Sequence, residues 1–481
     1  MKINRRKFVK NATLAGIGSA AISSAAMTPD INEPQRKKPA PPAPAPSDRL
    51  RVGFIGVGNR GGGHLRTTLG IGTVDIVAIC DVSQRSIDTA MKRVSDAKVP
   101  APKVYTGSEL AYIDMLEKEK LDAVIIATPW EWHARMAVAA MKAGVYTGLE
   151  VPACITVDQA WELVNVHEET GVELMFLENA CYGRSGLAIL NMVRQNVFGE
   201  LLHCRCGYLH DLRRVKFNDG EVYNYAPGKP LKFGQEAFAE AQWRGLHSLR
   251  RNGDLYPTHG IGPIAHALDI HNGNRFTSLS AFASKARGLG KYVSDHGGPN
   301  HPLANAQWNC GDIVTSQIKC QNGETILVTH DCNNPRPHVS DKFVQGTKGL
   351  WYGDWKSIYI ENASPKLDQY EPEDEWIKKY DHQYWREDAE KAASSGHGGV
   401  DYMVLNDFYF AVKDKKPAPI DVYDAAAWSA ISELSEMSVA RGGEPVDFPD
   451  FTRGRWLHFR KDRIFAHDEK FQMVPERFTT Y

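Results

Sequence analysis

Tyr256 and His259 stand three apart in the run Tyr256-Pro257-Thr258-His259. On one helical turn that spacing puts a phenol and an imidazole on the same face. An imidazole titrates near neutrality and is a good general acid or base. An isolated histidine is more often a packing residue, but Gly260, Gly262 and Pro263 around His259 argue for close backbone packing at a site. A second constellation is Gly56-Val57-Gly58-Asn59-Arg60-Gly61, a G-x-G-x-x-G run. Such glycines let the backbone approach a pyrophosphate, whose charge the next helix's free N–H groups can hold. Alone the run is weak; it gains weight by following an apolar strand, 51–56, and leading into a helix predicted over 62–69. Asp81 lies 20 positions beyond Gly61, at the end of an apolar strand, 74–80. A carboxylate there accepts from adenosine ribose hydroxyls and repels a 2′-phosphate, so NAD is preferred over NADP. Arg85 tempers that preference, and the plainer reading of Asp81 is a helix N-cap.

The elements that would position these residues alternate. A strand over 121–129 ends in Thr-Pro. Trp130, Glu131, Trp132 and His133 sit just beyond its carboxyl end, where such sheets hold ligands. A helix over 136–144 closes on Gly144. A strand over 145–152, with Glu150 in its last part, is followed by a helix over 157–171 and a strand over 172–179. This alternation means a doubly wound parallel sheet of the α/β class. Residues 398–417 and 421–443 read as helices, the second closed by Gly442 and Gly443. The aromatic-rich tail, 447–481, reads as ordered surface packing or a subunit contact.

The chain has 481 residues, enough for two domains, with 24% charged residues and a formal charge of −1. That balance gives no footprint for nucleic acid. It opens with Lys2, the pair Arg5-Arg6, Lys7 and Lys10, then a weakly apolar stretch ending in small residues near Ala26. Residues 1–26 read as a twin-arginine export signal, too short and glycine-rich to span a membrane. Export implies a periplasmic or secreted protein, and removal of the segment takes the charge to −6. Residues 27–48 form a proline-rich linker. Eight cysteines are too few for a disulfide scaffold. Cys204 and Cys206 share one strand face without a second pair at zinc spacing, so no metal site is expected. His203, His266 and His271 read as structural, the last two on a helix after His259.

Taken together these residues resemble the Gfo/Idh/MocA oxidoreductases, and in finer detail glycoside hydrolase family 109. The matching stretches are GNRGGGH (58–64), WEWH (130–133), LEVP (149–152), LENACYGR (177–184), NMVRQNVFGEL (191–201), GYLHDLR (207–213), RNGDLYPTHGIGP (251–263) and NPRPH (334–338). The resemblance implies an NAD-binding Rossmann domain over 49–178 and an α+β domain over 179–481 built on an open mixed sheet for substrate and oligomerisation. It also implies the α-N-acetylgalactosaminidase reaction. In that cycle the sugar C3 hydroxyl is oxidised, the C2 proton removed, the aglycone eliminated, water added and C3 reduced again. Dehydrogenases of the superfamily carry Glu-Lys-Pro before the second domain; this chain has Glu150-Val151-Pro152, and valine carries no proton. Under the resemblance His259 is the principal proton-transfer residue, and Tyr256 and Tyr208 orient hydroxyls or relay a proton. Arg244, Pro257 and Thr258 complete the sugar site. The NAD set is Gly56, Gly58, Asn59, Arg60, Gly61, Asp81, residues 130–133, Glu150, Val151 and Asn179. After Asn-Pro-Arg-Pro the family pattern has tyrosine, where this chain has His338, which leaves the exact sugar open. The substrate is a small molecule or glycan, and a homo-oligomer suits the family. Two alternatives stand beside this reading: an exported NAD(P)-dependent sugar oxidoreductase that keeps its cofactor, and a non-catalytic sugar-binding protein on a Rossmann frame.

Overall fold

The computed structural model describes residues 49–458, apart from 224 and 227. The predicted export signal, the linker and the last part of the tail lie outside the described residues.

Six short apolar segments form the first sheet: β1 (Leu50–Ile55), β2 (Val74–Cys80), β3 (Lys103–Tyr105), β4 (Ala123–Ile126), β5 (Tyr146–Leu149) and β6 (Leu174–Phe176). All are paired in parallel in the order β3-β2-β1-β4-β5-β6, so the strand order switches sides between β1 and β4. Every residue of β4 is buried, as a strand covered by helices on both faces requires. Two of the cover helices start on a side-chain cap. Ser83 Oγ accepts from Ser86 N at the head of Gln84–Asp96, and Thr156 Oγ1 accepts from Gln159 N at the head of Val157–Thr170. Gly171, in the left-handed region at φ 66°, ends the latter.

The second sheet has nine strands: β7 (Leu201–Leu209), β8 (Phe276–Ala283), β9 (Val314–Cys320), β10 (Thr325–Asp331), β11 (Phe343–Gly346), β12 (Gly349–Tyr352), β13 (Ser357–Ile360), β14 (Glu371–Pro372) and β15 (Val446–Asp447). Their order is β14-β13-β12-β11-β7-β10-β9-β8-β15. Only β7 and β10 run parallel, which makes the sheet mixed. The helices Val400–Asp414 and Val422–Ala440 then return to the first sheet. Phe408 meets Tyr146 of β5 with ring centroids 5.6 Å apart, and Phe176 of β6 donates its N–H to Ile420 O at 2.8 Å. One hydrophobic core therefore runs through both sheets.

Three local predictions differ from the structure. The helix predicted over 136–144 begins at Trp130, so Trp130–His133 form its first turn. Pro129 starts it, and nothing in the alanine-rich stretch that follows breaks it. Tyr256 is not helical: the helix is Thr258–Ala267, and a residue before proline is driven out of the α region. His271 lies past the end of that helix, in a turn at φ 64°.

Candidate active site

The β1 turn has the shape a dinucleotide needs. Gly56 adopts φ 82°, and a Cβ on it would lie 2.5 Å from Ala127 O. A Cβ on Gly61 would come within 1.9 Å of Gly56 O, so only glycine lets the helix Asn59–Ile71 sit this close to β1. Gly58 caps that helix and no side chain caps it, leaving the leading N–H groups for an anion. Asp81, at the end of β2, is tied to the same turn: Oδ2 accepts from Val57 N and Oδ1 from Ser83 N, each at 2.8 Å. Burial raises its carboxyl while these backbone donors oppose the rise. Ser83, not Asp81, is the helix cap. Arg85 packs its guanidinium 4.2 Å over Phe238 and donates to Glu221 O. These residues fit NAD.

Where the first sheet opens toward the second, six polar side chains lock together. Glu150 Oε1 accepts from Arg60 Nε at 2.6 Å and lies 2.7 Å from His64 Nε2. Its Oε2 accepts from Val151 N. Arg60 Nη1 continues to Asp401 Oδ1 at 3.0 Å, which also accepts from Asn179 Nδ2 at 2.8 Å. His397 Nδ1 lies 2.8 Å from Asp401 Oδ2. Burial alone would raise the Glu150 and Asp401 carboxyls. Arg60 and the histidines outweigh burial and hold both well below the usual carboxylate range. Val151 is buried beside this network.

Across the cleft stands an aromatic cluster. His259 Nδ1 lies 2.5 Å from Glu178 Oε1. A carboxylate only accepts, so the shared proton sits on Nδ1, and in the neutral ring Nε2 is the nitrogen with the lone pair. The His259 ring meets Tyr256 at 5.0 Å and Tyr208 at 5.3 Å between centroids. The helix of His259 can approach β7 because Gly260 faces Gly207, where a Cβ would lie 2.6 Å from Gly207 N. Gly262 likewise admits Cys181 Sγ and Glu178 Cγ. Burial raises the phenols of Tyr208 and Tyr256, so both are donors at neutral pH. Tyr256 stacks on Trp130 at 5.4 Å, and the Arg244 guanidinium lies 4.7 Å over Tyr256 and 5.1 Å over Trp130. Arg244 Nη1 donates to Glu240 Oε2, while its buried Nη2 has no hydrogen-bond partner. Glu240 Oε1 also accepts from Asn59 Nδ2, linking the cofactor turn to Arg244. His338 stacks on His210 at 4.3 Å, and His210 Nδ1 lies 3.2 Å from the Tyr208 hydroxyl. Burial, with His338 and Arg244 nearby, lowers His210 to about 4, so it is neutral at pH 7.

The predicted residues thus fall into two walls, one around the β1 turn and Glu150, one around His259. His133 sits between β4 and residue 152 with Nε2 2.8 Å from Thr128 O and Nδ1 2.7 Å from Pro152 O. Both ring nitrogens face backbone, which makes it a brace. Glu131 lies 3.2 Å from His247 Nε2, and Trp132 carries Arg135 over its ring. Thr258 is fully buried, its Oγ1 without a hydrogen-bond partner, and Pro257 caps its helix. Sequence reasoning missed Glu178, Glu240, His64, His397 and Asp401. Glu178 was within reach, since it stands in the quoted stretch LENACYGR. Asp401 and His397 come from more than 200 residues away and carry no local signal.

Comparison with known proteins agrees with this geometry. Residues 50–177 match the oxidoreductase family with an NAD-binding Rossmann fold, and residues 182–458 match the C-terminal domain of glycosyl hydrolase 109. A glycosyl hydrolase family 109 protein of Parabacteroides distasonis is 56% identical over 460 residues, covering 95% of this chain and 98% of its own. An α-N-acetylgalactosaminidase of Tannerella forsythia is 53% identical over 462 residues, with the same coverage. Among solved structures, a levoglucosan dehydrogenase in complex with NADH shares the fold at TM-score 0.59 and 20% identity, over 84% of this chain and all of its own. An NAD-binding oxidoreductase from Klebsiella pneumoniae superposes at TM-score 0.61 and 16% identity, again over 84% of this chain. With the nucleotide turn and the His259 cluster in place, the match of residues 182–458 to the family's C-terminal domain and the 56% identity to one of its members over 95% of this chain show that the chain belongs to glycoside hydrolase family 109.

Proposed function

We propose that this protein hydrolyses terminal α-linked N-acetylgalactosamine, or a closely related sugar, with NAD retained through the cycle. One observation carries the reading: the Glu178–His259 pair lies against Tyr208 and Tyr256, and Arg244 over Tyr256 is joined through Glu240 to Asn59 of the nucleotide turn. The relative named α-N-acetylgalactosaminidase supports the sugar class. Bound NAD would supply a hydride acceptor for the sugar C3, and the C3 ketone so formed would make the C2 hydrogen acidic enough to remove. His259 moves the protons, its tautomer fixed by Glu178. Tyr208 and Tyr256 remain protonated and donate to sugar hydroxyls. Arg244, packed over Tyr256 and Trp130 and paired with Glu240, holds that face of the sugar site in place. Val151 stands where superfamily dehydrogenases carry lysine, so proton transfer falls to the second wall. Export through the twin-arginine route fits a protein that folds around its cofactor before leaving the cytoplasm. The test is His259→Ala. The variant should keep bound NAD, measured after denaturation, and lose cleavage of an aryl α-N-acetylgalactosaminide. Unchanged cleavage would refute the assignment.

A further inference from the structure

A small space bounded by Trp130, Tyr256, Leu212, Leu255 and Cys332 also carries four polar side chains in its lining. Lys216, at the end of the short helix Arg213–Lys216, is buried there. Arg244 and Ser248 reach it from one face of the helix Arg244–Arg250, and His330 reaches it from β10. All four residues are at least nine-tenths buried. Arg244 Nη2, Ser248 Oγ and His330 Nδ1 have no hydrogen-bond partner. Lys216 donates to Asn333 Oδ1 at 2.5 Å and has no carboxylate within ion-pair distance among the described residues. Asp312, the acid that acts on it from farther off, already accepts from the N–H groups of Arg287 and Gly288.

We propose that Lys216, Arg244, Ser248 and His330 bind one monatomic anion of halide size between them. Lys and Arg can only donate, and a serine hydroxyl and a neutral imidazole can each donate as well. An occupant that only accepts satisfies all four and also answers the charge of Lys216, which a water, even one donating to Ser248 Oγ, does not. An ammonium and a guanidinium out of water beside one another call for a counter-charge. Glu240 answers Arg244 and nothing comparable answers Lys216. Burial and the neighbouring Arg244 both press on the charged form of Lys216, and burial, Lys216 and Arg244 keep His330 neutral at about 3. The space holds about one water-sized occupant, which excludes sulfate, phosphate and carboxylates. A bound anion would hold Arg244 Nη2 from behind and so fix the guanidinium that packs on Trp130 and Tyr256.

The inference goes beyond the sugar reading, and its test needs no sugar. Protein purified with its retained cofactor in gluconate buffer is crystallised, soaked in sodium bromide and measured at the bromine edge. In parallel, melting temperature is followed as bromide replaces gluconate at constant ionic strength. The expected result is an anomalous peak among the four side chains and a melting temperature that rises with bromide. Lys216→Met should weaken the bromide effect at least about tenfold, the loss of one charge-assisted bond. Ser248→Ala, a milder change, should weaken it less and keep the fold. No anomalous peak at this position, or a response equal in wild type and both variants, would mean a buried water or an adventitious ion only, and would overturn the proposal.

Discussion

The His259 ring is held by a single carboxylate, and the consequence can be measured. Glu178→Gln keeps the shape but offers an amide where Nδ1–H needs an acceptor, so the imidazole loses its enforced tautomer. We expect kcat to fall by about 10²–10⁴ with KM little changed. Steady-state kinetics on an aryl glycoside would check this, and equal losses in KM and kcat would speak for a packing role instead. A second residue, Asp254, gives a stability test with a definite sign. It is buried, its Oδ2 has no hydrogen-bond partner, and burial raises it to about 7 against the single opposing bond from Tyr256 N. The folded protein holds this proton after the unfolded chain has released it, near pH 4. Its contribution is therefore full below about pH 4 and is lost as pH rises through about 7. Asp254→Asn should flatten the fall in stability over that window in denaturant titrations. Glu150 has the opposite sign: held low by Arg60 and His64 against its burial, it stabilises above about pH 4 and stops doing so in acid.

At the scale of elements, the nucleotide turn depends on the helix Asn59–Ile71 lying against β1. Gly61→Ala puts a methyl at 1.9 Å from Gly56 O, so the helix must move. A cost of about 1–3 kcal/mol in stability and loss of co-purifying NAD are expected, measured by thermal melts and by absorbance of released nucleotide. This part of the fold was readable beforehand. The parallel strands are short apolar runs between glycine and proline signals, and their helices carry Ser83, Thr156 and Gly171 at the ends. The second sheet was harder to read. Its strands β11 to β14 span four residues or fewer, and the pairing of β11 with β7 joins segments more than 130 residues apart. The approach of the helix Thr258–Ala267 to β7 was visible as glycines, but its start was not, because Pro257 excludes Tyr256 from the helix. In the site, His259, Tyr256 and Arg244 could be singled out by type and by family pattern. Glu178 acts as the partner of His259, and Asp401 and His397 belong to the network around Arg60 and Asn179, and partners are set by folding rather than by spacing.

At the scale of the molecule, the two sheets share one core, and the helices near the chain's end join them. Phe408 fills the space over Gly148, whose added Cβ would lie 3.0 Å from that ring. It sits on the same helix as Asp401, which ties Arg60 and Asn179 together. Phe408→Ala should cost about 3–5 kcal/mol and loosen the wall that carries Glu150 and Arg60. Calorimetry should show one cooperative transition at lower temperature; two separate transitions would mean that the sheets unfold independently. The joint arrangement is what the proposed cycle requires, because hydride and proton steps act on neighbouring carbons and need both walls fixed around one ring. The most direct test is turnover of an aryl α-N-acetylgalactosaminide in deuterium oxide by protein to which no NAD is added, with mass analysis of the released sugar. Many turnovers, each leaving a carbon-bound deuterium at C2, are the predicted result. Release of a sugar with no carbon-bound deuterium would mean simple displacement at C1 and would contradict the account.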